Sequence, residues 1–398
     1  MGRLTVHSMK SVYILSDNII TSLGFTTAEN TAAIENGVVG IREVDDPALY
    51  PSAVQLSLVN SLLLEEKFAA VLATLHKKNP ASSFTRLEKM FILSIHEALN
   101  TRQVSPGDPR TLFIISTTKG NVNLLENQYR ATFSHKRVYL WELGRTIQQF
   151  FGFANKPLIV SNACISGVMA LMTAARFLHS GAYDHAVVTG GDIASEFVIS
   201  GFQSFQALSP APCKPFDLNR TGLSLGEGCG TMILSVVPGN SDGPSIRVTG
   251  AATTNDANHI SGPSRTGQEL ATAMKLAMNQ AGLGTGDIDY ICAHGTATSF
   301  NDEMESKSID LCGLTQVPVN SFKGYWGHTL GAAGIIESVA AVSSLRKNML
   351  YRSAGFETLG VPSPLNVIGT NLSTPLQACI KTASGFGGCN AAITIQKK

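Results

Sequence analysis

The stretch Val160-Ser161-Asn162-Ala163-Cys164-Ile165-Ser166-Gly167 joins two segments of different periodicity. Residues 157–160, which lead into it, are apolar and end in the β-branched pair Ile159-Val160, which predicts a short buried strand. After it, residues 167–180 carry apolar side chains at helical spacing, and Gly181 is a typical helix stop. Cys164 is therefore predicted to lie on a strand-to-helix turn, near the N-terminus of a helix.

This position is compatible with two roles for Cys164. A helix N-terminus presents free backbone N–H groups and a positive dipole end, which favour a thiolate and can hold an oxyanion. A cysteine within an apolar pattern is nevertheless more often a small core residue than a nucleophile. Residues farther along the chain decide between the two roles.

The chain has 398 residues, of which 44% are hydrophobic, and a formal net charge of +1. This length supports a large core, in one domain or in two related halves, and the near-neutral charge argues against nucleic acid as the main partner. No apolar run reaches membrane-spanning length, so we expect no membrane insertion. We expect residues 1–8 to be an added leader, because a natural-looking start follows at Met9.

The seven cysteines include no CxxC pair and no short-spaced cluster with histidine. This pattern predicts reduced thiols in a cytoplasmic compartment and argues against a structural zinc site.

Predicted strands and helices alternate, which indicates an α/β protein whose mostly parallel sheets are covered by helices. The predicted strands are 11–15, 111–116, 157–160, 185–191, 226–237, 245–252, 288–293, 318–321, 378–382 and 391–396, and the predicted helices are 84–99, 167–180, 266–281 and 332–347.

A weak internal repeat predicts two related halves. Residues 228–234 resemble residues 388–394, and in both places glycine leads into a strand that closes its half. We therefore expect one half at residues 1–243, with the cysteine, and a second half at residues 244–398.

Three segments of the second half stand out. They are His294-Gly295-Thr296-Ala297-Thr298 with Asn301, Asp302 and Glu305; residues 323–334, which include Lys323 and His328, with Glu337; and Ser384-Gly385-Phe386-Gly387-Gly388. Each alone is more readily a structural feature, since strand-end histidines and glycine turns are common. Because Cys164, His294 and the loop before His328 all follow predicted strands, we expect them to share one crevice.

These motifs resemble those of the β-ketoacyl-acyl-carrier-protein synthases of the type I/II group, over nearly the whole chain. The pattern AC-x-[ST]-G is matched at 163–167, HGTxT…D…E at 294–305, K-x4-H-x-x-GAAG…E at 323–337, and GFGG at 385–388, and residues 214–228 and 255–259 are also family-like. The resemblance implies a thiolase-like α/β fold, in which two duplicated halves have mixed sheets layered with helices in the order αβαβα.

The resemblance further implies an acyltransferase that performs a decarboxylative condensation. Cys164 would carry an acyl group as a thioester. His294 and His328 would be neutral and would donate hydrogen bonds to the enolate oxygen formed when a malonyl thioester loses CO₂. Lys323, paired with Glu337, would orient the histidines and set the local field rather than transfer a proton.

Substrate contacts are implied in the same way. The backbone amides of Cys164 and Phe386 would form an oxyanion hole, and Phe202 would line the acyl pocket. Residues implied to bind the phosphopantetheine arm or to form the mobile gate beside it are Thr296, Thr298, Gly385, Phe386 and Gly387. No metal and no dissociable cofactor is implied, because the phosphopantetheine arrives on an acyl carrier protein. The expected assembly is a homodimer, or a heterodimer with a cysteine-less sister subunit.

Three departures from the family pattern leave the pathway open. Residues 120–153 form a shorter segment than is usual in the family before the cysteine strand. Residues 297–300 lack a proline that is common in the family, and Tyr325-Trp326 replaces smaller residues. We expect these two aromatic side chains to narrow the acyl pocket or to stack on an unsaturated chain. Besides fatty-acid-type elongation, a ketosynthase of aryl-polyene or polyketide biosynthesis with a chain-length-factor partner therefore remains an alternative.

Three other classes fit the residues less well. A silent partner subunit would typically lack the nucleophile, yet Cys164 and both histidines are present. A thiolase would need a second cysteine in a CxG turn, and Cys389 lacks the following glycine. A cysteine hydrolase would leave the second histidine without a role.

Overall fold

The computed structural model describes residues 10–77, 80–100, 104–129, 132–239, 243–257 and 262–398. The expected leader at residues 1–8, and the end of the family-like stretch 255–259, lie outside these described residues.

The described strands are β1 (Val12–Ile20), β2 (Arg42–Val44), β3 (Val54–Ser57), β4 (Thr111–Ser116), β5 (Leu158–Val160), β6 (His185–Asp192), β7 (Leu225–Gly226), β8 (Gly228–Ser235), β9 (Ile246–Asn255), β10 (Tyr290–Cys292), β11 (Pro318–Asn320), β12 (Met349–Leu350), β13 (Asn366–Val367), β14 (Leu372–Ser373), β15 (Ala378–Gly385) and β16 (Cys389–Lys397). The α-helices are α1 (Thr27–Glu35), α2 (Ser61–Thr74), α3 (Arg86–Leu99), α4 (Leu140–Phe151), α5 (Ser166–His179), α6 (Glu196–Ser204), α7 (Gln268–Ala281), α8 (Ser299–Leu311), α9 (Lys323–Trp326) and α10 (Ala333–Lys347).

The main sheet contains one strand arrangement twice. Its order is β13-β11-β10-β15-β16-β9-β1-β8-β6-β4-β5. In the first half, β5, β4 and β6 are parallel, and β8 and β1 follow antiparallel. In the second half, β11, β10 and β15 are parallel, and β16 and β9 follow antiparallel. The predicted pair of duplicated α/β halves is confirmed, and the repeated sequences lie in the equivalent strands β8 and β16.

The two half-sheets are joined rather than separate. Strands β1 and β9 pair antiparallel at only two positions, Val12 with Val248 and Tyr13 with Arg247. This short contact makes the described main sheet continuous. The division at residue 243 stays a prediction.

Helices lie in three layers around the two half-sheets. Helices α5 and α10 pack against each other between the half-sheets, in a shared core with residues from both halves. Helix α3 covers the outer face of the first half, and α7, with α8 packed on it, covers the outer face of the second. The layer order is therefore αβαβα, as expected.

Glycines allow the two central helices to touch at their starts. A Cβ atom at Gly167 would lie 2.7 Å from the backbone nitrogen of Ile335, so α5 and α10 approach through bare backbone. Helix α10 is buried from Ala333 to Leu345 because it lies between two sheets. This contact brings the cysteine turn before α5 next to the segment that contains His328.

The sequence pattern predicted most strands of the main sheet and the helices α3, α5, α7 and α10 to within a few residues. It predicted residues 22–37, which contain α1, only as a loop entering a helix, and it missed α2, α4, α6, α8 and the short α9. Helix α8 has little apolar periodicity because its buried face carries polar side chains, among them Asn301, Asp302 and Glu305. Among the described residues, no helix has the combined length and hydropathy that a membrane span requires.

Candidate active site

Cys164 lies on a tight turn between β5 and α5. Ala163 has a φ of 43°, in the left-handed region that non-glycine residues rarely adopt. The hydroxyl of Ser166 holds this turn, because it donates to the Ala163 carbonyl at 2.6 Å and accepts from the Asn162 N–H at 2.8 Å. The strained turn re-aims the chain so that the Cys164 side chain lines a cavity at the start of α5.

Burial controls the ionisation of the Cys164 thiol. The residue is 7% exposed, and desolvation raises the pKa of the thiol to about 12, although the nearby Lys323 ammonium acts in the opposite direction. The helix N-terminus was expected to favour a thiolate, but the cost of burying the charge is larger. The Cys164 thiol is therefore protonated at neutral pH.

His294 and His328 lie beside this thiol. His294 follows β10, and its ring makes an edge-to-face contact with the His328 ring at a centroid distance of 5.3 Å. The backbone of His328 is fixed by β7, since its N–H donates to Ser224 and its carbonyl accepts from Gly226. The Cys164 sulfur and one nitrogen of each imidazole all lie within 4.8 Å of one another. The predicted convergence of these three residues is therefore present in the structure.

The hydrogen bonds around the two rings assign their tautomers. Nδ1 of His328 accepts from the Leu330 N–H at 3.3 Å, and Nδ1 of His294 lies 3.2 Å from Nζ of Lys323, which can only donate. Each neutral ring must then carry its proton on Nε2. In the described structure Nε2 of His328 is buried and has no hydrogen-bond partner, so its N–H is available to a substrate.

Both imidazoles are held neutral. Burial lowers the pKa of His294 and of His328 well below the usual value, and the positive charge of Lys323 lowers both further. Two neutral N–H donors in a buried pocket can stabilise a developing oxyanion without first losing a proton.

The cysteine and the two histidines also have the donor types of a transition-metal site. A metal would need a free lone pair on each ring, yet Nδ1 is an acceptor and Nε2 carries the proton in both. An adjacent ammonium on Lys323 also opposes a cation. The hydrogen bonding therefore argues against a resident metal at these three residues.

Behind the histidines lies a buried ion cluster. Lys323 is fully buried, and its Nζ donates to the His294 carbonyl at 2.6 Å and to Oε1 of Glu337 at 2.5 Å. The second oxygen of Glu337 lies 2.7 Å from Nζ of Lys381. Lys381 was missed by the sequence analysis, where it was one residue of an apolar strand, and the only signal was a charged residue inside that strand.

Helix α8 supplies two buried carboxylates that shape the His294 turn. Glu305 accepts from the backbone N–H groups of His294 and Gly295 at 2.8 and 2.7 Å, and Asp302 accepts from the Thr296 N–H at 2.9 Å. Burial raises the pKa of Asp302 to about 6. The sequence motif contained Asp302 and Glu305, but their hydrogen bonds to the backbone of the His294 turn could not be predicted because α8 itself was not predicted.

Asp192, at the end of β6, ties the rest of the crevice together and was not singled out from the sequence. Its carboxylate accepts from the Thr117 hydroxyl at 2.8 Å, the Thr118 N–H at 2.9 Å and the Gly331 N–H at 2.7 Å. It thereby links the ends of β4 and β6 to the turn after His328.

The glycine turn after β15 lies against the cysteine. A Cβ atom at Gly385 would be 3.0 Å from the Cys164 backbone nitrogen, so only glycine allows this approach without a shift. The neighbouring Phe386 ring is 37% exposed and lies 5.7 Å from the Phe202 ring and 5.1 Å from the Phe205 ring. Phe205 is an additional member of this aromatic group. The oxyanion role of the Cys164 and Phe386 amides stays a prediction.

One cavity of about 430 Å³ joins these parts. The sequence-predicted residues that line it are Cys164, Phe202, His294, Thr296, Thr298, His328, Gly385 and Phe386. Among the described residues, Lys323 and Glu337 lie behind the cavity and Gly387 lies outside its lining.

Tyr325 and Trp326 do not line the cavity, contrary to the expectation. Both side chains are fully buried in the central core, where the Trp326 ring stacks on Phe322 at 5.4 Å. They therefore support the segment that carries His328 and do not contact the described pocket.

Comparison with protein families gives matches to both halves of the chain. Residues 9–237 match the Beta-ketoacyl synthase, N-terminal domain, and residues 246–357 match the Beta-ketoacyl synthase, C-terminal domain.

Curated relatives match at moderate identity. A putative mitochondrial 3-oxoacyl-[acyl-carrier-protein] synthase of Schizosaccharomyces pombe is 31% identical over 271 residues, which cover 63% of this chain and 64% of the relative. A putative polyketide beta-ketoacyl synthase 1 of Streptomyces halstedii is 30% identical over 267 residues, which cover 64% of this chain and 63% of the relative. The chain thus spans less than two thirds of the length of these relatives.

Solved structures show the same fold. A ketosynthase from Xenorhabdus doucetiae, solved in complex with its chain length factor, has a TM-score of 0.85 and 22% identity, with 98% of each chain covered. A beta-ketoacyl synthase from Burkholderia phymatum has a TM-score of 0.83 and 22% identity, with 98% of this chain and 100% of that chain covered. At this identity the likeness establishes the thiolase-like fold alone.

Proposed function

Because the chain belongs to the β-ketoacyl synthase family, we propose that it is a 3-oxoacyl-[acyl-carrier-protein] synthase. It condenses a Cys164-bound acyl group with malonyl-acyl carrier protein and releases CO₂. The observation that carries this proposal is the cluster of one thiol and two neutral, Nε2-protonated imidazoles within 4.8 Å in one cavity.

In the first step, the Cys164 sulfur attacks the thioester of an acyl carrier protein. A carbon–sulfur bond forms to Cys164, the bond to the pantetheine sulfur breaks, and the cysteine proton leaves with the pantetheine thiol. The backbone N–H groups of Cys164 and Phe386 hold the oxyanion of the tetrahedral intermediate. The close approach of Gly385 to the Cys164 nitrogen supports this geometry.

In the second step, a malonyl thioester loses CO₂. The carbon–carbon bond to the carboxylate breaks, and its electron pair passes into the thioester carbonyl to form an enolate. The Nε2–H groups of His294 and His328 donate to that oxygen, where negative charge develops. Lys323 is engaged by Glu337 and the His294 carbonyl, which supports a role in holding the tautomer rather than in proton transfer.

In the third step, the enolate carbon attacks the acyl carbonyl on Cys164. The new carbon–carbon bond forms and the carbon–sulfur bond breaks. The departing Cys164 thiolate then takes up one proton from solvent water, because burial favours the neutral thiol. The product is a 3-oxoacyl thioester on the carrier protein.

The phosphopantetheine arm enters along the threonine side of the cavity, and no separate cofactor takes part. The hydroxyls of Thr296 and Thr298 lie 2.8 Å apart and both residues line the cavity, which supports contacts to the amides of the arm. The Phe386 and Phe202 rings lie toward the acyl chain, and Gly387 next to Phe386 has a φ of 86°, a conformation that glycine adopts without strain.

The acyl carrier protein is the proposed transient partner, and a second copy of the chain is the proposed permanent one. A ketosynthase of aryl-polyene or polyketide synthesis, paired with a cysteine-less subunit, is the second candidate. It is favoured by the structural likeness to a ketosynthase that was solved with its chain length factor. We propose a cytoplasmic location for either, on the ground of the seven free cysteines.

A reconstituted assay tests the function. The protein receives malonyl-acyl carrier protein and a panel of acyl donors, and CO₂ and the 3-oxoacyl product are measured. Cys164→Ala should abolish condensation, whereas Cys312→Ala, a buried thiol on α8's C-terminal side, should retain it. Product formation by Cys164→Ala would show that Cys164 is not the nucleophile. The preferred acyl donor distinguishes fatty-acid elongation from aryl-polyene or polyketide synthesis.

A further inference from the structure

Lys381 is a fully buried lysine in the middle of β15. Its Nζ lies 2.7 Å from Oε2 of Glu337, donates to the Thr382 carbonyl at 2.5 Å, and makes a longer bond of 3.4 Å to the Ala293 carbonyl. A buried ammonium is costly unless it is paired, and here the ion pair to Glu337 on α10 and the short hydrogen bond to the Thr382 carbonyl on β15 hold Lys381 in place.

These contacts converge on His294 from behind. Glu337 lies on α10 and holds Lys323, whose Nζ lies against Nδ1 of His294. Ala293 directly precedes His294, and Thr382, the residue after Lys381, donates its hydroxyl to Glu305, which accepts from the His294 N–H. Lys381 thus contacts Glu337, which holds Lys323 against the His294 ring, and the carbonyl of Ala293, which precedes His294. Lys381 itself lies outside the cavity lining.

Behind the His294 ring, positive groups outnumber the carboxylate that pairs with them. The carboxylate of Glu337 pairs with the ammonium groups of both Lys323 and Lys381, and a second carboxylate, that of Glu305, contacts the backbone of the His294 turn. The titratable or charged groups that face His294 and Lys381 from the surrounding elements are Cys164, Cys292, Glu305, Lys323, His328 and Glu337. The positive charge of Lys381 lowers the pKa of both histidines, after the larger effects of burial and Lys323.

We propose that Lys381 is a positioning residue of the condensation reaction, an inference that rests on the proposed function. It anchors the second oxygen of Glu337 and the carbonyl before His294. Glu337 then presents its other oxygen to Lys323, Lys323 stays on Nδ1 of His294, and the imidazole keeps its proton on Nε2 toward the substrate.

The test compares Lys381→Met, Lys381→Arg and Lys397→Met with the wild type. Lys397 is a matched control because it is a mostly buried lysine on the neighbouring strand β16, and it donates to the Leu345 carbonyl and Asn348, away from the cavity. Malonyl-carrier-protein decarboxylation is measured from pH 5 to 9, together with KM and kcat. The ¹⁵N shifts of the His294 ring report its tautomer and pKa without any turnover.

Lys381→Met should lower kcat for decarboxylation by about 10- to 100-fold, the range typical of a lost orienting partner, with little change in KM. Because removal of a nearby positive charge favours imidazolium, the acid limb of its pH profile and the His294 pKa should move to higher pH. Lys381→Arg should restore part of the rate, and Lys397→Met should behave as the wild type.

Two outcomes overturn the inference. One is a Lys381→Met enzyme with the wild-type rate and pH profile. The other is an unchanged His294 tautomer and pKa in that variant, and this result counts even if no decarboxylation is found. A wild-type protein that fails to decarboxylate, but whose His294 shifts change in Lys381→Met, contradicts the proposed function and leaves the positioning role supported. If Lys381→Met does not fold, the ¹⁵N shifts of the His294 ring are compared between Lys381→Arg and the wild type. A changed tautomer or pKa supports the positioning role, and unchanged shifts contradict it.

Discussion

At the scale of single residues, the site depends on neutral groups held out of water. Burial keeps the Cys164 thiol protonated, and burial with Lys323 keeps both imidazoles uncharged. A pocket of neutral donors suits a reaction in which negative charge appears only during the chemical steps.

The thiol pKa gives a direct prediction. Since the pKa of Cys164 is raised to about 12, its thiolate fraction should rise about tenfold for each pH unit across the neutral range. Alkylation of Cys164 by iodoacetamide, followed by peptide mass mapping, should therefore accelerate steadily from pH 7 to 9. A plateau below pH 8 would mean that the helix N-terminus outweighs burial.

The tautomer of His328 gives a second prediction. His328→Leu removes the unpartnered Nε2–H and should lower malonyl decarboxylation by about 100- to 1,000-fold, as for the loss of one oxyanion donor. His328→Gln keeps an N–H donor at a similar reach and should lose less. Equal rates for the two variants would remove the hydrogen-bond role from His328, and circular dichroism checks that both are folded.

At the scale of elements, the site depends on the close contact between the N-terminal ends of α5 and α10. A Cβ atom at Gly334 would lie 2.4 Å from the Val168 backbone nitrogen and 2.9 Å from the Gly167 carbonyl carbon, and these backbone atoms cannot move aside as a flexible side-chain end could. We expect Gly334→Ala to lower the free energy of unfolding by about 1–3 kcal/mol through overpacking, as measured by urea denaturation.

The control for this prediction is Gly201→Ala. Gly201 also lies in a helix, α6, but has open space where a Cβ atom would be, so alanine should be neutral or slightly stabilising there. Equal stability of the two variants would contradict the account of the central contact.

The elements that the sequence could predict were those with a simple apolar pattern. Strand β4 has a short, continuous apolar run and is buried at every position, and helix α5 carries apolar residues at a period of about 3.6; the bounds of both agree with the prediction to within two residues. Helix α8 was missed because it buries carboxylates that bond to backbone N–H groups of another segment. Such residues look like a solvent-exposed face until the three-dimensional partners are known.

The same reason explains the outcome at the site. Cys164, His294, His328 and Lys323 could be picked out because they stand in long motifs. Lys381 and Asp192 could not be picked out. Each is a single polar residue in a strand, and its side chain bonds to residues that are distant in the sequence. The core position of Tyr325 and Trp326 depends on the packing of α9, which no local pattern reveals.

At the scale of the whole molecule, the duplicated halves each give one part of the site. The first half gives Cys164, just before its central helix, and the second gives both histidines and the buried ion cluster. The cavity is lined by residues of both halves, so the proposed chemistry requires the two halves to be packed together.

The end of the main sheet supports a dimer prediction. Among the strands of the described residues, β5 is the last in the main sheet and pairs with β4 alone, and its Leu158 is 38% exposed. Light scattering should give about twice the chain mass of 42.2 kDa for the wild type and a shift toward the chain mass for Leu158→Asp. Leu372→Asp, at an exposed leucine of the small β12–β14 sheet, should leave the mass unchanged. A monomeric wild type would contradict the prediction.

Whether Cys164 accepts the acyl group is best measured by intact mass spectrometry. The protein is incubated with a panel of acyl-carrier proteins, beside Cys164→Ala and Cys389→Ala; Cys389 is a buried thiol close to the glycine turn at 385–388. We expect a gain of one acyl group in the wild type and in Cys389→Ala, and none in Cys164→Ala. Acylation of Cys164→Ala, or no acylation of the folded wild type with any donor, would contradict the role of Cys164 as acyl acceptor.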